Sequence, residues 1–524
     1  MALEMKAIKN LKQILPQSRV SYGLVVGFFF VLLTYFTMSE QFAIRAPNAL
    51  SQPTSGYEIN TSPSTEETKS SPELGLEEKT QESKPDPKPV PVKKDEVIIV
   101  QKQQSTTPNG DAEETQQFGD VRKSEETHKD FGGGVENLNQ APAKKLLCDI
   151  TDHRSDFCDV EGDVRTHGIS STVMLVPPTP GPNPDPHEWS ISPYSRKHLE
   201  GIKKVTVKSL NGPHEAPPCS IKQSIPAVVF ALGGHTGNYW HDFSDVLIPL
   251  FVASRQFDGE VQFLITNIQG WYMGKYKMIL HKLSRYEMID FDKDGAIRCY
   301  PHVIVGVKSH KDFSIDPSKA PNGYTMSDFR KFMRMTYSLP RDYPIRLSDN
   351  STKKPRLLII ARGLSRRFTN VPEIVKSAEN LGFEVVVVDA KFDVNIAEFS
   401  QIVNSCDVML GVHGAGLTNC IFLPTNAVMI QVVPYGKIEF IAKMDFGDPA
   451  VDMNIQYLEY SISAEESTLM DTFGKDHPLI KDPDSIHRSG WQKVGEFYLG
   501  KQDVRLDLNR FAPTLLKAKE LLRG

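Results

Sequence analysis

Short apolar runs alternate with helical patterns twice along this chain of 524 residues, and that alternation constrains its architecture more than any other feature. Strand-length runs fall at 227–232, 261–266 and 303–307, then at 357–360, 384–388, 408–412 and 428–433. Helical patterns lie between them, among them 372–380, where Pro372 suits a first turn, and 395–404. β-Branched strands separated by helices pair in parallel and are covered on both faces. The expected fold class is therefore α/β, with two doubly wound, Rossmann-like domains at 146–345 and 346–524, the second closing with a terminal helix. A polar, Pro-containing passage at 336–355 reads as an exposed linker between them. Facing sheets leave an interdomain cleft at the carboxyl ends of their strands, where small ligands bind.

The chain before this body has another character. No residue between Arg19 and Glu40 is charged, and the block is crowded with Leu, Val and Phe. Roughly 20 such residues, rising about 1.5 Å each, cross a hydrocarbon core of about 30 Å. Lys6, Lys9, Lys12 and Arg19 precede the block, so the positive-inside rule keeps the N-terminus cytoplasmic and the remainder luminal. The block is too long for a cleaved signal peptide, and no small-residue cleavage site follows it. A cytoplasmic tail over 1–20, a transmembrane signal-anchor over 21–39 and a luminal stem over 40–145 are expected. The stem is rich in Ser, Thr, Glu, Lys, Pro and Gln, and has too few apolar residues to offset ordering entropy, so it reads as a disordered tether.

In that orientation Asn60 and Asn350, each in an Asn-x-Ser/Thr sequon, are glycosylation acceptors, the first weakened by Pro63. Cys148, Cys158, Cys219 and Cys299 are the expected bridge formers, whereas Cys406 and Cys420 flank an apolar strand and read as buried free thiols. A net charge of -5 and a pI near 6.3 exclude a strongly basic nucleic-acid binder.

Two regions carry chemistry. After the run at 408–412 comes His413-Gly414-Ala415-Gly416-Leu417-Thr418-Asn419, a Gly-rich turn entering a helix, where free amides receive phosphate. Taken alone it fits tight strand–helix packing equally well. Arg362, Arg366 and Arg367 follow a neighbouring strand, and parallel strands bring both loops to one sheet edge, where cations and amides converge on a diphosphate. In the first half, a turn from Gly233 leads into a helical pattern with His241 and Asp245 four residues apart on one face. A carboxylate beside a histidine in the cleft can take a proton from an acceptor hydroxyl; helix capping or a buried hydrogen bond is the structural alternative.

Three motifs, Asn238-x-x-His241-x-x-x-Asp245, Arg362-x-x-x-Arg366-Arg367-x-x-Asn370-x-x-Glu373 and the turn from Val412 to Asn419, resemble glycosyltransferase family 61, closest to its plant branch of xylan arabinosyl- and xylosyltransferases. The segments 158–163 and 433–436 extend the likeness over nearly all of 146–524. The resemblance implies a GT-B fold and a single-pass type II Golgi membrane protein with a luminal catalytic domain. It implies an inverting enzyme that moves a pentose, arabinofuranosyl or xylosyl, from a UDP-sugar to the xylan backbone of cell-wall polysaccharide, and it is compatible with a Golgi enzyme complex. On it, Arg362, with Arg366 or Arg367, and the turn of His413, Gly414, Ala415 and Gly416 hold the donor diphosphate, Glu439 the ribose, and Asn238 and Trp240 the acceptor. Asp245 is the preferred general base, with His241 orienting or replacing it; spacing does not choose among Asp245, Asp242 and His241.

No cofactor and no metal requirement is expected, because arginines supply the donor's counter-charge. Asp290-Phe291-Asp292 resembles the Asp-x-Asp of metal-dependent transferases and the opening of a calcium loop, but Pro301 stands where an EF-hand needs Glu, and the segment lies in the half away from the donor. It reads as an acidic turn. Two alternatives set the tests. An N-glycan core β-1,2-xylosyltransferase would differ in acceptor, and a non-catalytic Golgi glycan-binding or scaffold protein would not bind UDP.

Overall fold

The computed structural model describes residues 147–178, 188–348, 352–389 and 395–523, and within them two β-sheets flanked by helices make two lobes. The expected anchor and stem, with Asn60, and the sequon at Asn350 lie outside the described residues. No helix among the described residues is long and apolar enough to cross a membrane.

The first lobe carries β1 (Cys148–Asp149), β2 (Phe157–His167), β3 (Thr172–Val176), β4 (Glu188–Ile191), β5 (Val205–Ser209), β6 (Ile221–Lys222), β7 (Ala227–Ala231), β8 (Gln262–Thr266), β9 (Ile289–Asp290) and β10 (Ile297–Val305). Their sheet order is β4-β5-β3-β2-β10-β7-β8-β9, with β1 on β2 and β6 on β10. From β10 to β9 every pairing is parallel, and β7 and β8 are buried throughout, as continuous apolar runs require. On the other side β2 runs antiparallel to β10 and β3, and β4 antiparallel to β5. This sheet is therefore mixed, which corrects the expectation of a doubly wound parallel sheet. Its antiparallel strands alternate instead of running apolar: in β2, Cys158, Val160, Val164 and Thr166 are buried between more open neighbours, so continuous apolar runs do not mark them. Pro301, inside β10, coincides with the register shift between Tyr300 and His302, where a missing amide is tolerated.

The second lobe is closer to expectation. β11 (Arg356–Ala361), β12 (Glu384–Asp389), β13 (Val408–Val412), β14 (Val428–Val433) and β15 (Gln456–Ser461) lie in the order β12-β11-β13-β14-β15, all parallel. Helices Val371–Asn380 and Ile396–Asn404 appear at the predicted places, and a helix at Leu508–Leu521 closes the chain. Disulfides Cys148–Cys158 and Cys219–Cys299 join four first-lobe cysteines, and Cys406 and Cys420 are buried free thiols, as the spacing suggested.

One hydrophobic cluster runs across both lobes, uniting Phe230, Phe243, Phe251 and Phe263 with Met409, Leu417, Phe422 and Phe446. Each such side chain contributes roughly 1.5–3 kcal/mol by leaving water. Helix Met326–Tyr337 lies in this junction, opened by a capping box between Thr325 and Asp328. Its Arg330, fully buried, donates to the carbonyls of Ile421 (3.3 Å), Leu423 and Met453 in the second lobe. The passage at 336–355 is exposed over much of its described length, at Ser338, Pro340, Asp342, Tyr343 and 352–354 among others, but it is pinned at several points. Thr336 and Tyr337 are buried in the last turn of that helix, Arg341 grips Asp407 (2.5 Å) and Ser405, and the Leu347 amide donates to Leu522. Arg341 thus ties an otherwise open passage to the second lobe.

Candidate active site

At the carboxyl end of β7 the chain turns through Gly233 and Gly234 and enters a helix at Tyr239, with the Asn238 side chain capping the Trp240 amide (3.1 Å). Gly234 has φ +63, and a Cβ there would stand 2.8 Å from the Tyr194 ring, so this turn needs glycine. The helix widens into a π-helical stretch over Asp242–Leu247, a geometry that recurs at functional sites. Within it Asp242 is fully buried and structural: one oxygen accepts from the Gly237 amide (2.8 Å), the other from the Tyr276 hydroxyl (2.6 Å). Burial holds its carboxyl above the usual range against those hydrogen bonds.

Asp245 is also fully buried, and a single oxygen, Oδ2, receives His241 Nδ1 (2.8 Å), Arg196 Nε (2.9 Å) and the Tyr194 hydroxyl (3.1 Å). Burial opposes its ionisation, but the His241 hydrogen bond and the Arg196 charge outweigh it and keep the carboxyl below its usual range. Its other oxygen, Oδ1, is buried with no hydrogen-bond partner among the described residues. The exposed member of the pair is His241, with 22% of its side chain open. Its Nδ1 is committed to Asp245, and its Nε2 makes no hydrogen bond among the described residues. A histidine so oriented presents one basic nitrogen to the cleft.

In the second lobe, Arg362 after β11 and the turn after β13 meet as expected. Gly414, at φ +137, lies so close to both arginines that a Cβ would be 2.8 Å from Arg366 Nη1 and 2.9 Å from Arg362 Nη1. Arg366 Nη1 donates to the His413 carbonyl (2.7 Å), and Arg362 Nε to the Ser365 carbonyl (2.8 Å). Among the described residues neither guanidinium pairs with a carboxylate. Burial and the Arg362 charge push Arg366 down to about 9, and burial lowers Arg362 as well. His413 is pushed down to about 3 by burial, Arg366 and Arg362, so its ring is neutral. Gln431 Nε2 donates to His413 Nδ1 (2.8 Å), and this network assigns the ring proton to Nε2, the side facing the cleft. All three shifts have one sense, set first by burial and, at Arg366 and His413, also by neighbouring positive charge, and a bound anion would oppose both causes. Ala415 and Gly416 begin the helical turn Ala415–Phe422, whose first amides have no partner within the turn.

Other predicted residues sit elsewhere. Arg367 is exposed and held by Asp503 (2.9 and 2.6 Å), unlike Arg362 and Arg366, which pair with no carboxylate among the described residues. Asn370 bonds the backbone of Leu506, and Glu373 lies 3.6 Å from Arg505. Trp240, buried, donates its indole N–H to the Asp445 carbonyl across the lobes (3.2 Å), while Asn238 is exposed and uses its Oδ1 as a cap. Glu439 opens the short helix Glu439–Ala442 and lines a pocket of about 310 Å³ with Tyr435 and Ile462, beyond β14 and β15. The acids of the 290–294 turn have separate basic partners, Lys293 on Asp290 (2.6 Å), Lys203 on Asp292 (3.0 Å) and Arg298 on Asp294 (2.7 Å), as a structural turn does. Asp159, Glu161 and His302 cluster on β2 and β10, outside the cleft.

Sequence reasoning missed Asp445, Arg196 and Tyr194. Asp445 lies in a second π-helical stretch, Lys443–Gly447, with its carboxylate 3.8 Å from His413 Nε2. Burial and the Asp312 charge push it up to about 7, against the opposing pull of His241 and Arg196. It is thus the second-lobe group facing the His241 pair. No motif marks it.

The family model described as Glycosyltransferase 61 matches residues 239–430, the stretch that runs from the His241 helix to β14. Beta-1,2-xylosyltransferase XYXT1 of Oryza sativa subsp. japonica is 47% identical over 73% of this chain and 85% of its own length. Alpha-1,3-arabinosyltransferase XAT2 of the same plant is 46% identical over 76% of this chain and 68% of its own. Beta-1,2-xylosyltransferase XAX1, also from that plant, is 35% identical over 99% of this chain and 95% of its own. Identity of this extent, spanning both lobes and the turns that converge in the cleft, establishes that the chain is a glycosyltransferase and belongs to glycosyltransferase family 61.

Proposed function

We propose that the protein is an inverting, UDP-sugar-dependent pentosyltransferase of GT-B architecture, with an acceptor lobe at 146–345 and a donor lobe at 346–524, anchored in the Golgi membrane with its body in the lumen. Its relatives are named for xylosyl transfer, for arabinosyl transfer and, in one from Arabidopsis thaliana, as a xylan glycosyltransferase, so the transferred group is a pentose and the acceptor the xylan backbone. The observation that carries the reading is the pairing, across one cleft, of two guanidiniums without carboxylate partners with a His241–Asp245 pair.

The roles follow from charge and position. Arg362, Arg366, the Nε2–H of His413 and the amides beyond Gly414 hold the diphosphate. Glu439 faces the ribose. Asp445, between His413 and His241, accepts a hydrogen bond from a hydroxyl of the sugar in transit. His241 Nε2 removes the acceptor hydroxyl proton while the oxygen attacks the anomeric carbon; the bond from that carbon to the phosphate oxygen breaks, and its electron pair leaves with UDP. Asp245 keeps the His241 ring oriented and stabilises the imidazolium that forms. The two arginines receive the departing charge.

The test is a donor screen of the purified full-length chain with UDP-xylose, UDP-arabinofuranose and UDP-N-acetylglucosamine, using xylo-oligosaccharides and N-glycans as acceptors. Pentose transfer to xylo-oligosaccharide is expected. Transfer to N-glycan alone would move the protein to the other acceptor class, and failure to bind UDP would sink the donor site.

A further inference from the structure

Beside the reaction centre a cavity of about 600 Å³ opens between the loop after β10 and the helical run that contains Asp445. Its first-lobe wall includes Arg154, Lys311 and Asp312, and its second-lobe wall Met444, Pro449 and Val451. Both walls touch the site described above. Asp312 Oδ1 accepts from Arg154 (2.5 Å) and from Arg196 Nη2 (2.8 Å), the same arginine whose Nε holds Asp245, and Met444 adjoins Asp445. The lobes meet along one edge of this cavity through Asp452, which takes Lys311 (3.2 Å) and the Ser314 hydroxyl (2.6 Å).

The two walls differ in chemistry. On the second lobe, Val451 leaves 69% of its surface open and Met444 is also exposed, an apolar strip with no cover among the described residues. On the first, the charged groups are present but already matched: Arg154 with Asp312, Lys311 with Asp452. On the second, Asp448 is matched with Lys443 (3.6 Å). Matched pairs still offer lone pairs and N–H groups to hydroxyls, yet they leave no spare cation for a phosphate or a uronate. An apolar strip opposite a field of balanced hydrogen-bonding groups suits a ligand with C–H faces and many hydroxyls. Trp240 is buried with its indole N–H on the Asp445 carbonyl, so it offers no open ring face to a sugar.

We propose that this cavity is the acceptor subsite and that it holds a neutral linear pentosan chain, the Met444 and Val451 strip meeting the C–H faces of the sugar rings and the ion-paired wall meeting their hydroxyls. The proposal rests on the transferase reading above but is tested apart from it. Titration calorimetry on the purified full-length chain, without donor, measures xylohexaose binding to wild type and to Val451→Arg, with UDP titrated into each. Val451 is exposed, so the fold tolerates the change, and UDP affinity reports that it has. Val451→Arg is expected to weaken xylohexaose by about tenfold or more, as loss of a contact subsite does, with UDP affinity unchanged. Unaltered xylohexaose binding overturns the proposal. Tighter binding of a glucuronate-branched xylo-oligosaccharide than of the linear one at low salt overturns the neutral assignment. If UDP fails to bind wild type while xylohexaose binds and Val451→Arg weakens it, the donor reading falls and the acceptor subsite stands.

Discussion

His241 gives its Nδ1 to Asp245 Oδ2 at 2.8 Å, and the aspartate that completes the pair is wholly enclosed while the histidine is not. That difference in burial is the ground for proposing His241 as the base and Asp245 as the residue that positions it.

His241→Ala removes the base, and turnover with saturating substrates should fall about a hundredfold to ten-thousandfold. Asp245→Asn leaves a ring of less certain orientation and an unbalanced imidazolium, so turnover should also fall, by less than in His241→Ala. UDP affinity should be retained in both, because the donor groups lie on the other lobe. Single-turnover rates and calorimetric UDP titration separate the two effects. Full activity of His241→Ala would remove it from the base role.

Gly414 makes a second prediction, since its missing Cβ is what lets Arg362 and Arg366 approach the turn. Gly414→Ala at φ +137 strains the backbone and pushes both guanidiniums away, so UDP affinity should drop by at least the loss in Arg366→Ala. That single loss is expected at about 1.5–3 kcal/mol, the range of a charge-assisted hydrogen bond. Arg367→Ala, which breaks only the exposed pair with Asp503, should leave UDP affinity unchanged. Comparable losses for Arg366 and Arg367 would reopen the choice of cations.

Arg330 ties the lobes together, and burial with the nearby Arg334 charge pushes it down to about 10, still protonated at neutral pH. Arg330→Met fills much of the same volume but leaves three buried carbonyls without their donor. A loss of about 2–4 kcal/mol is expected. Because the hydrophobic cluster is continuous across the junction, hydrogen exchange in β8 and β13 should accelerate together. Acceleration confined to one lobe would show that the shared core does not couple them.

The legible parts of this molecule were those with local signatures. β13 and, apart from Gln431, β14 are runs of buried apolar residues, and the helix from Val371 carries Pro at its second position, so these elements fall where predicted. The convergence of Arg362 with Gly414 was legible too, because parallel strands fix which loops share an edge. Arg367 was not separable from Arg366, since only the φ of +54 at Arg366 sends adjacent side chains to different partners. Arg196, remote in sequence from the helix it serves, and Asp445, in a π-helical turn without a sequence mark, depend on tertiary packing that spacing does not encode.

Asp445 yields the prediction with a definite sign in pH. Its folded carboxyl is pushed up to about 7, while an unfolded chain releases that proton near the ordinary value of 3.8. Between those values the folded state binds more protons, so this group's contribution to stability is greatest at low pH and is lost as pH rises toward about 7. The accumulated cost at higher pH is about 2–4 kcal/mol, as a shift of this size implies for a largely buried group. Asp445→Asn keeps the shape, removes the charge and cannot titrate. It should therefore exceed wild type in stability at about pH 8 and approach it at about pH 5, measured by denaturant unfolding of both proteins at each pH. Turnover should fall, because the substituted amide no longer offers a carboxylate to the sugar in transit, whereas affinity for UDP, which has no such sugar, should stay. A variant with lower stability than wild type at about pH 8 would mean that the carboxylate is a structural ion-pair partner, and the position facing the transferred sugar would have to be reassigned.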